Sequence, residues 1–421
     1  MNSRRGFLQL AAMTPFAACL PWVSHAAGAP FPGKFLVTIQ ARGGWDVSCF
    51  CDPKINQIGE REITKWSKSG DIQAVSNIIY APFAENRRFF EKHGQKMLVI
   101  NGVDSMTNSH TIGETVNWSG RTAQGYPSLT ALYSATNAPL LPMSYVTFGG
   151  FSRAENIVRA TQLDSSVSEI STLLQPNEIH GAPMINEGLW SLVKSAHKDE
   201  SKTVLSSAGV VAGNLSSRRA YLSSIINMDP LREFAESLPS DGGWERRSQS
   251  GNLRQQAQFT VAAFRAGVSV ASDLSQGGFD THDDNDVDQA LALADLVDGI
   301  DYLWDTAADA GIADRLVVVV GSDFSRTPYY NEGAGKDHWP IGSYIIMEQG
   351  ASYTNKVIEG TDELQNAIAI DTETLEPSNF GTKILTSHVH DSLRDYLDLS
   401  GSEMARAYPL NNVEKFDFFA E

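Results

Sequence analysis

The chain has 421 residues, 42% of them apolar and 20% charged, with 34 Gly and 17 Pro. That length buries a core easily, as one large α/β domain or two to three ordinary ones; so apolar a chain is not disordered, and glycines without a triplet period exclude a collagen-like one. With 33 basic against 50 acidic side chains, a formal charge of -17, most of the surface would repel nucleic-acid phosphate, while acidity favours solubility and permits cation binding.

Residues 1–26 read as one export device. A basic head, Ser3-Arg4-Arg5-Gly6-Phe7-Leu8, precedes an apolar run to Val23, and Ser24-His25-Ala26 offers small residues where a signal peptidase cuts. Paired arginines followed by Phe-Leu look like a twin-arginine signal, which exports folded proteins through its own machinery, so the expected location is the periplasm or the medium. Two other readings compete. One is a membrane helix, which Pro15 and Pro21 would break; the other is a lipoprotein box at Ala17-Ala18-Cys19, where Phe16 fits poorly. Cleavage removes two arginines and no acid, leaving 31 basic against 50 acidic side chains. It also leaves only Cys49 and Cys51, whose spacing would strain a disulfide, so stability must come from the core. No later stretch is long and apolar enough for a stable membrane span.

Along the remaining chain, residues 27–421, buried strands are expected at Lys34–Gln40, Lys96–Ile100 and Ser144–Phe148. Two helical pieces fall between about 110 and 135, divided at Gly125-Tyr126-Pro127. From about 151 to 260 strand-like runs disappear and helix-period segments stand near 187–199, 208–227 and 251–265, the pattern of a helical insertion or cap. Strands resume at Gly267–Ser272, then a long amphipathic helix at Asp286–Ala310. Arg315–Val320 is unbroken by polar residues, as a parallel strand covered on both faces would be, and Ser343–Met347 follows. Alternation on this scale predicts a three-layer α/β/α sandwich.

The candidate chemistry lies where the strands run out, the place where ligands bind in open parallel sheets. Gly43-Gly44-Trp45-Asp46, Gly277-Gly278-Phe279-Asp280-Thr281-His282, Gly321-Ser322-Asp323-Phe324-Ser325-Arg326 and Lys336-Asp337-His338-Trp339 share that placement. Carboxylates and imidazoles gathered at one edge suit a divalent cation. Taken singly, a Gly-Gly-Trp-Asp segment is most simply a turn. Thr107-Asn108-Ser109-His110 follows the second strand, where Ser109 is either a helix N-cap or a nucleophile whose hydroxyl a metal would acidify.

These segments, with the twin-arginine start and Thr327-Pro328, resemble an exported bacterial family, domain of unknown function 1501, placed in the alkaline phosphatase-like superfamily with phosphatases, sulfatases and phosphoglycerate mutases. The resemblance implies an alkaline phosphatase-like fold and a superfamily order of metal ligands. On it, Asp46 matches the first acid, Ser109 the nucleophile, Asp280 the third position, Asp323 the fourth and His338 the last, with His282 beside Asp280. Two departures stand out. Asp284 occupies the usual second position of the Asp-x-x-x-His pair, and Phe324 replaces the histidine expected after Asp323. Either one metal binds, or a harder cation is held mainly by oxygen; zinc, manganese, magnesium and calcium all stay open. Arg326 is placed to supply positive charge against a phosphate or sulfate.

Other residues read as bystanders. Cys51-Asp52-Pro53 lacks the rest of a sulfatase signature, His388-Val389-His390 reads as a solvated pair on one face of a strand, and His93, His180 and His197 read as surface. Asp283-Asp284-Asn285-Asp286 reads equally as a calcium loop or as helix-start acids. The implied function is an exported metal-dependent hydrolase of small or polymeric phosphate or sulfate esters. The alternative is a relative that keeps the fold as a periplasmic binding or assembly protein. A third reading, a carbohydrate or polymer binder, leans on Trp118 and Trp339.

Overall fold

In this computed structural model the structure describes residues 31–163, 177–179, 182–206, 228–239, 244–245, 252–410 and 414–420. The export segment 1–26, His180 and the expected helix at 208–227 lie outside the described residues. Among the described ones, no helix is long and apolar enough to cross a membrane.

Eight strands form the central sheet: β1 Phe35–Ala41, β2 Met97–Asp104, β3 Tyr145–Thr147, β4 Ala160–Gln162, β5 Ala271–Gln276, β6 Leu316–Ser322, β7 Ile341–Glu348 and β8 Lys356–Ile358. Their spatial order is β8-β2-β7-β6-β1-β5-β3-β4. All run one way except β7, which is antiparallel to both β6 and β2. Among the described residues the longer helices are α1 Asn86–His93, α2 His110–Ser119, α3 Leu129–Asn137, α4 Glu187–Ser206, α5 Met228–Ser237, α6 Leu253–Arg265, α7 Asn285–Asp309 and α8 Thr386–Tyr396, with a short one at Glu403–Ala407.

Side chains alternate across a strand, and β1 shows which helices cover which face. Phe35 stacks on Phe264 of α6, with ring centroids 4.7 Å apart. Thr38, on the other face, shares Asp273 of β5 with Thr130 of α3. Gly321 pairs with Gln40 and meets Trp118, so α2 lies on the α3 face. α7 packs on α6 and α1. The result is the expected three-layer α/β/α arrangement. Every residue of β1 and β6 is buried, which explains why Leu-Val-Val-Val-Val carries no polar alternation.

Several expectations need correction. The strand expected at Gly267–Ser272 begins at Ala271 instead, because Gly267 and Val268 close the end of α6 through bonds to Phe264 and Ala263. Within 151–260, Ala160–Gln162 extends the main sheet and α6 belongs to the core, so these parts are not a separate cap. His388 and His390 sit on α8, not on a strand, and both are buried. His93 is also buried, bonded through Nε2 to Asp301 at 3.0 Å. Cys49 and Cys51 are free thiols in the interior.

The register sets the height of the site. Ala41 at the end of β1 pairs with both Ser322 and Gln276. The loops after β1, β5 and β6 therefore leave the sheet level with one another. β2 ends at the same edge and leads into α2. Because β7 runs the other way, its start is at this edge too, and His338-Trp339 arrives there just before it.

Candidate metal centre

Two glycines make the scaffold. Gly43 (φ 115°) and Gly44 (φ 87°) both take the left-handed region, which costs glycine little and other residues much. A Cβ on Gly43 would also meet the Asp280 amide nitrogen at 2.4 Å. Their two N–H groups donate to Asp323 Oδ1 at 2.9 and 3.0 Å. Their carbonyls face the other way and accept from Arg326, Gly44 O from Nε at 2.9 Å and Gly43 O from Nη2. One turn thus holds a buried carboxylate with its amides and a buried guanidinium with its oxygens.

A short ribbon, Ser325–Arg326 against His338–Trp339, sets Arg326 opposite His338. The loop between its strands clamps the 281–283 backbone: Lys336 N donates to Thr281 O at 3.0 Å and Asn331 Nδ2 to His282 O at 2.8 Å. On the far side, α2 presses its first turn onto Asp323. Gly113 allows this, since a Cβ there would lie 2.4 Å from the Asp323 carbonyl oxygen.

Three imidazoles converge on one carboxylate oxygen. Asp280 Oδ1 lies 3.4 Å from His110 Nε2, 3.2 Å from His282 Nε2 and 3.7 Å from His338 Nε2, and Nε2 of His282 and His338 are 3.0 Å apart. Ligand atoms of His110, Asp280 and His338 all fall within 4.8 Å of one another. Each ring is fixed from behind. His110 Nδ1 meets Asp323 Oδ2 at 2.5 Å, His282 Nδ1 meets Asp337 Oδ1 at 3.0 Å, and His338 Nδ1 meets the Asn108 carbonyl at 2.7 Å. A carbonyl or carboxylate oxygen only accepts, so Nδ1 carries the hydrogen in all three. In the neutral rings every Nε2 is then a lone pair, and His110 Nε2 is buried without a hydrogen-bond partner.

Lone pairs facing each other at this range repel unless a cation lies between them. Imidazoles backed by carboxylates or carbonyls are the usual form of a metal ligand. The edge of a zinc tetrahedron built on bonds of roughly 2.0–2.1 Å is about 3.3 Å, close to the 3.4 and 3.7 Å that separate Asp280 Oδ1 from His110 and His338, with His282 at the edge of this trio. The residues present therefore fit a divalent cation of the imidazole-preferring kind.

The charges agree. Burial alone would raise the pKa of Asp280, but the bond and charge of Arg326, 2.8 Å away, and the His110 and His282 rings hold it below the usual carboxylate value. The bond to Asp323 raises His110 above the ordinary imidazole value against the opposing effect of burial. Burial lowers His338, as do the neighbouring positive groups. Asp280 and His282 are about half exposed, so the cluster opens to solvent. Phe324, standing where the resemblance implies a histidine, packs its ring on His110 and His338, with centroids 4.7 and 4.5 Å away.

Of the seven residues singled out from sequence, the structure brings Asp280, His282 and His338 together. Asp323 lies behind His110 and accepts its Nδ1 hydrogen. Arg326 is buried and spent on backbone carbonyls and Asp280, so it presents no free face to a substrate. Asp46 stands apart, fully buried, with Lys336 Nζ at 2.7 Å. Ser109 is the exposed N-cap residue of α2, and its hydroxyl does not cap the helix. Sequence reasoning missed His110, Asp337, Lys336 and Gln289. Gln289 is buried on α7, accepting from Asp46 N at 3.0 Å and donating to Phe279 O at 3.0 Å. His110 and Asp337 each adjoin a residue that was selected; nothing in the sequence marks Gln289.

Residues 235–415, less than half of the chain, match the family described as "Protein of unknown function (DUF1501)". This is the family that the motifs resemble. No curated protein matches the sequence. Similar solved structures include Ps i-CgsB in complex with k-i-k-neocarrahexaose, at 8% identity and TM-score 0.42, covering 92% of this chain and 75% of that one. A putative sulfatase from Bacteroides thetaiotaomicron has 8% identity and TM-score 0.37, covering 91% and 76%. Alkaline phosphatase from the Antarctic bacterium TAB5 has 13% identity and TM-score 0.32, covering 77% and 94%. With likeness this distant, the chemistry of the cluster rests on its own side chains.

Proposed function

We propose that the protein is an exported metal-dependent hydrolase of phosphate or sulfate esters, with His110, His282, His338 and Asp280 holding a single divalent cation. The observation that carries this reading is the convergence of three Nε2 lone pairs on Asp280 Oδ1 while every Nδ1 hydrogen is committed elsewhere. A bound cation supplies Lewis acidity toward an anionic ester and lowers the pKa of a nearby hydroxyl. The protein's own groups do the rest. Asp323, Asp337 and the Asn108 carbonyl fix the ring orientations, and Arg326 keeps Asp280 ionised. Ser109 precedes His110 with a solvent-facing hydroxyl at the start of α2, where unpaired amides and the helix dipole favour an anion. The Arg4-Arg5 segment supports export through the twin-arginine route.

A second reading, a binding or assembly protein without turnover, draws on Arg326 and Phe324: the guanidinium is committed to the scaffold, and a ring fills the place of an expected ligand. Metal content by mass spectrometry and turnover of aryl phosphates and aryl sulfates separate the two. The hydrolase reading expects metal in wild type and Ser109→Ala, turnover in wild type only, and loss of both in Asp280→Asn. Bound metal without turnover in wild type selects the second reading, and absence of metal from wild type defeats the first.

A further inference from the structure

Asp46 reaches the same sheet edge as the histidine cluster, yet nothing about its carboxylate is open. Oδ1 accepts from Ser48 N at 3.1 Å and from Ser48 Oγ at 2.6 Å. Oδ2 accepts from Asn285 Nδ2 at 3.0 Å and from Lys336 Nζ at 2.7 Å. A carboxylate offers about four acceptor positions, and all are taken. Both Asp46 and Lys336 are 0% exposed. The ammonium also reaches Ser48 Oγ at 3.1 Å, so it is held on two sides.

The same residue ties this pair to the histidine cluster. The Lys336 carbonyl accepts from Arg326 Nη1 at 3.1 Å, and the guanidinium continues to Asp280. Lys336 directly precedes Asp337 and His338. Two fixed side-chain cations therefore stand on the two acids that follow β1 and β5. Phe324, nearly fully buried against His110 and His338, supplies no donor atom.

We propose that Lys336 is the permanent counter-cation of Asp46 and excludes a second metal ion, making the centre mononuclear. This rests on the reading of the histidine cluster as a metal centre. A buried carboxylate left unpaired is costly, so removing the ammonium should create a demand for another cation at that place.

The test uses the untagged mature chain, stripped with a chelator, reloaded with Zn²⁺, dialysed and measured by mass spectrometry for metal per chain. One equivalent is expected in wild type and in Asp46→Asn, and two in Lys336→Met. Where Lys336→Met does not fold, Lys336→Gln, which removes the charge but keeps a polar side chain against the Asp46 carboxylate, is expected to hold two. Two equivalents in wild type, or a lower count in Asp46→Asn, overturn the proposal while leaving the histidine centre standing. A folded Lys336→Met or Lys336→Gln that stays at one equivalent overturns the role of the ammonium. Zero equivalents in wild type removes the metal centre itself, and the proposal with it.

Discussion

Single residues in this site act mostly by what they let their neighbours approach. Gly113 is the clearest example. In an isolated helix, alanine in place of glycine adds roughly 1 kcal/mol of stability. Here the new Cβ would lie 2.4 Å from the Asp323 carbonyl oxygen and 3.0 Å from its Cβ, and neither can retreat, because Asp323 is pinned by the Gly43 and Gly44 amides. Gly113→Ala is therefore expected to destabilise the fold by about 1–3 kcal/mol, the usual cost of overpacking, and to weaken Zn²⁺ binding by lifting His110 off Asp323. Urea unfolding and a zinc titration read the two effects, and a stability gain would show that α2 is not seated as described. The neighbouring hydroxyl of Ser109 was legible in sequence as a candidate nucleophile. The imidazole beside it was not, since a ring's role depends on what stands behind its Nδ1.

At the scale of elements, buried histidines make packing sensitive to pH. His93 at the end of α1 and His390 on α8 are both pushed down to about 4 by burial; His390 donates from Nε2 to the Asn117 carbonyl at 2.9 Å, linking α8 to α2. In the unfolded chain each takes a proton near pH 6.5. Between about 6.5 and 4 the unfolded state binds more protons, so stability present above this window is lost as pH falls through it. Asp273, raised to about 6 by burial in the Thr38, Thr130 and Tyr145 network, works in the opposite sense below that value. Burial also lowers His338 and His388 and raises Asp391, so the lowered imidazoles outnumber the raised carboxyls. Metal-free protein is expected to lose stability steadily from pH 6.5 toward 4, and His390→Gln to make the slope shallower by about 1.4 kcal/mol per pH unit. Urea midpoints across the window check it; an unchanged slope would mean that His390 already titrates in the fold.

For the whole molecule, the centre joins parts of the chain that lie far apart in sequence. His110, Asp280 and His338 come from the ends of three different segments, so a bound cation crosslinks the loops after β2 and β5 with the entry to β7. Anything that binds the folded state alone stabilises it by mass action, about 2.7 kcal/mol at one hundred times its dissociation constant. Chelation is expected to lower the urea midpoint of wild type by an effect of that order and to leave Asp280→Asn unchanged. Equal midpoints for wild type with and without chelator would show that the cluster holds no ion under those conditions.

The layered architecture was readable because burial on both faces imposes unbroken apolar runs, as in Leu316–Val320, and because Gly and Asp after such runs mark where a sheet edge lies. Asp280, His282 and His338 were readable for the same reason, each standing just past or just before a strand. Pairing across the edge was not. Whether an acid there faces a cation from the protein or one from solution depends on which distant side chain the fold delivers beside it. Only the tertiary structure set Lys336 on Asp46, Asp323 behind His110 and a glutamine of α7 beneath the turn. The one antiparallel strand of the central sheet begins at this edge just after His338, and strand direction depends on partners far along the chain, which local pattern does not encode.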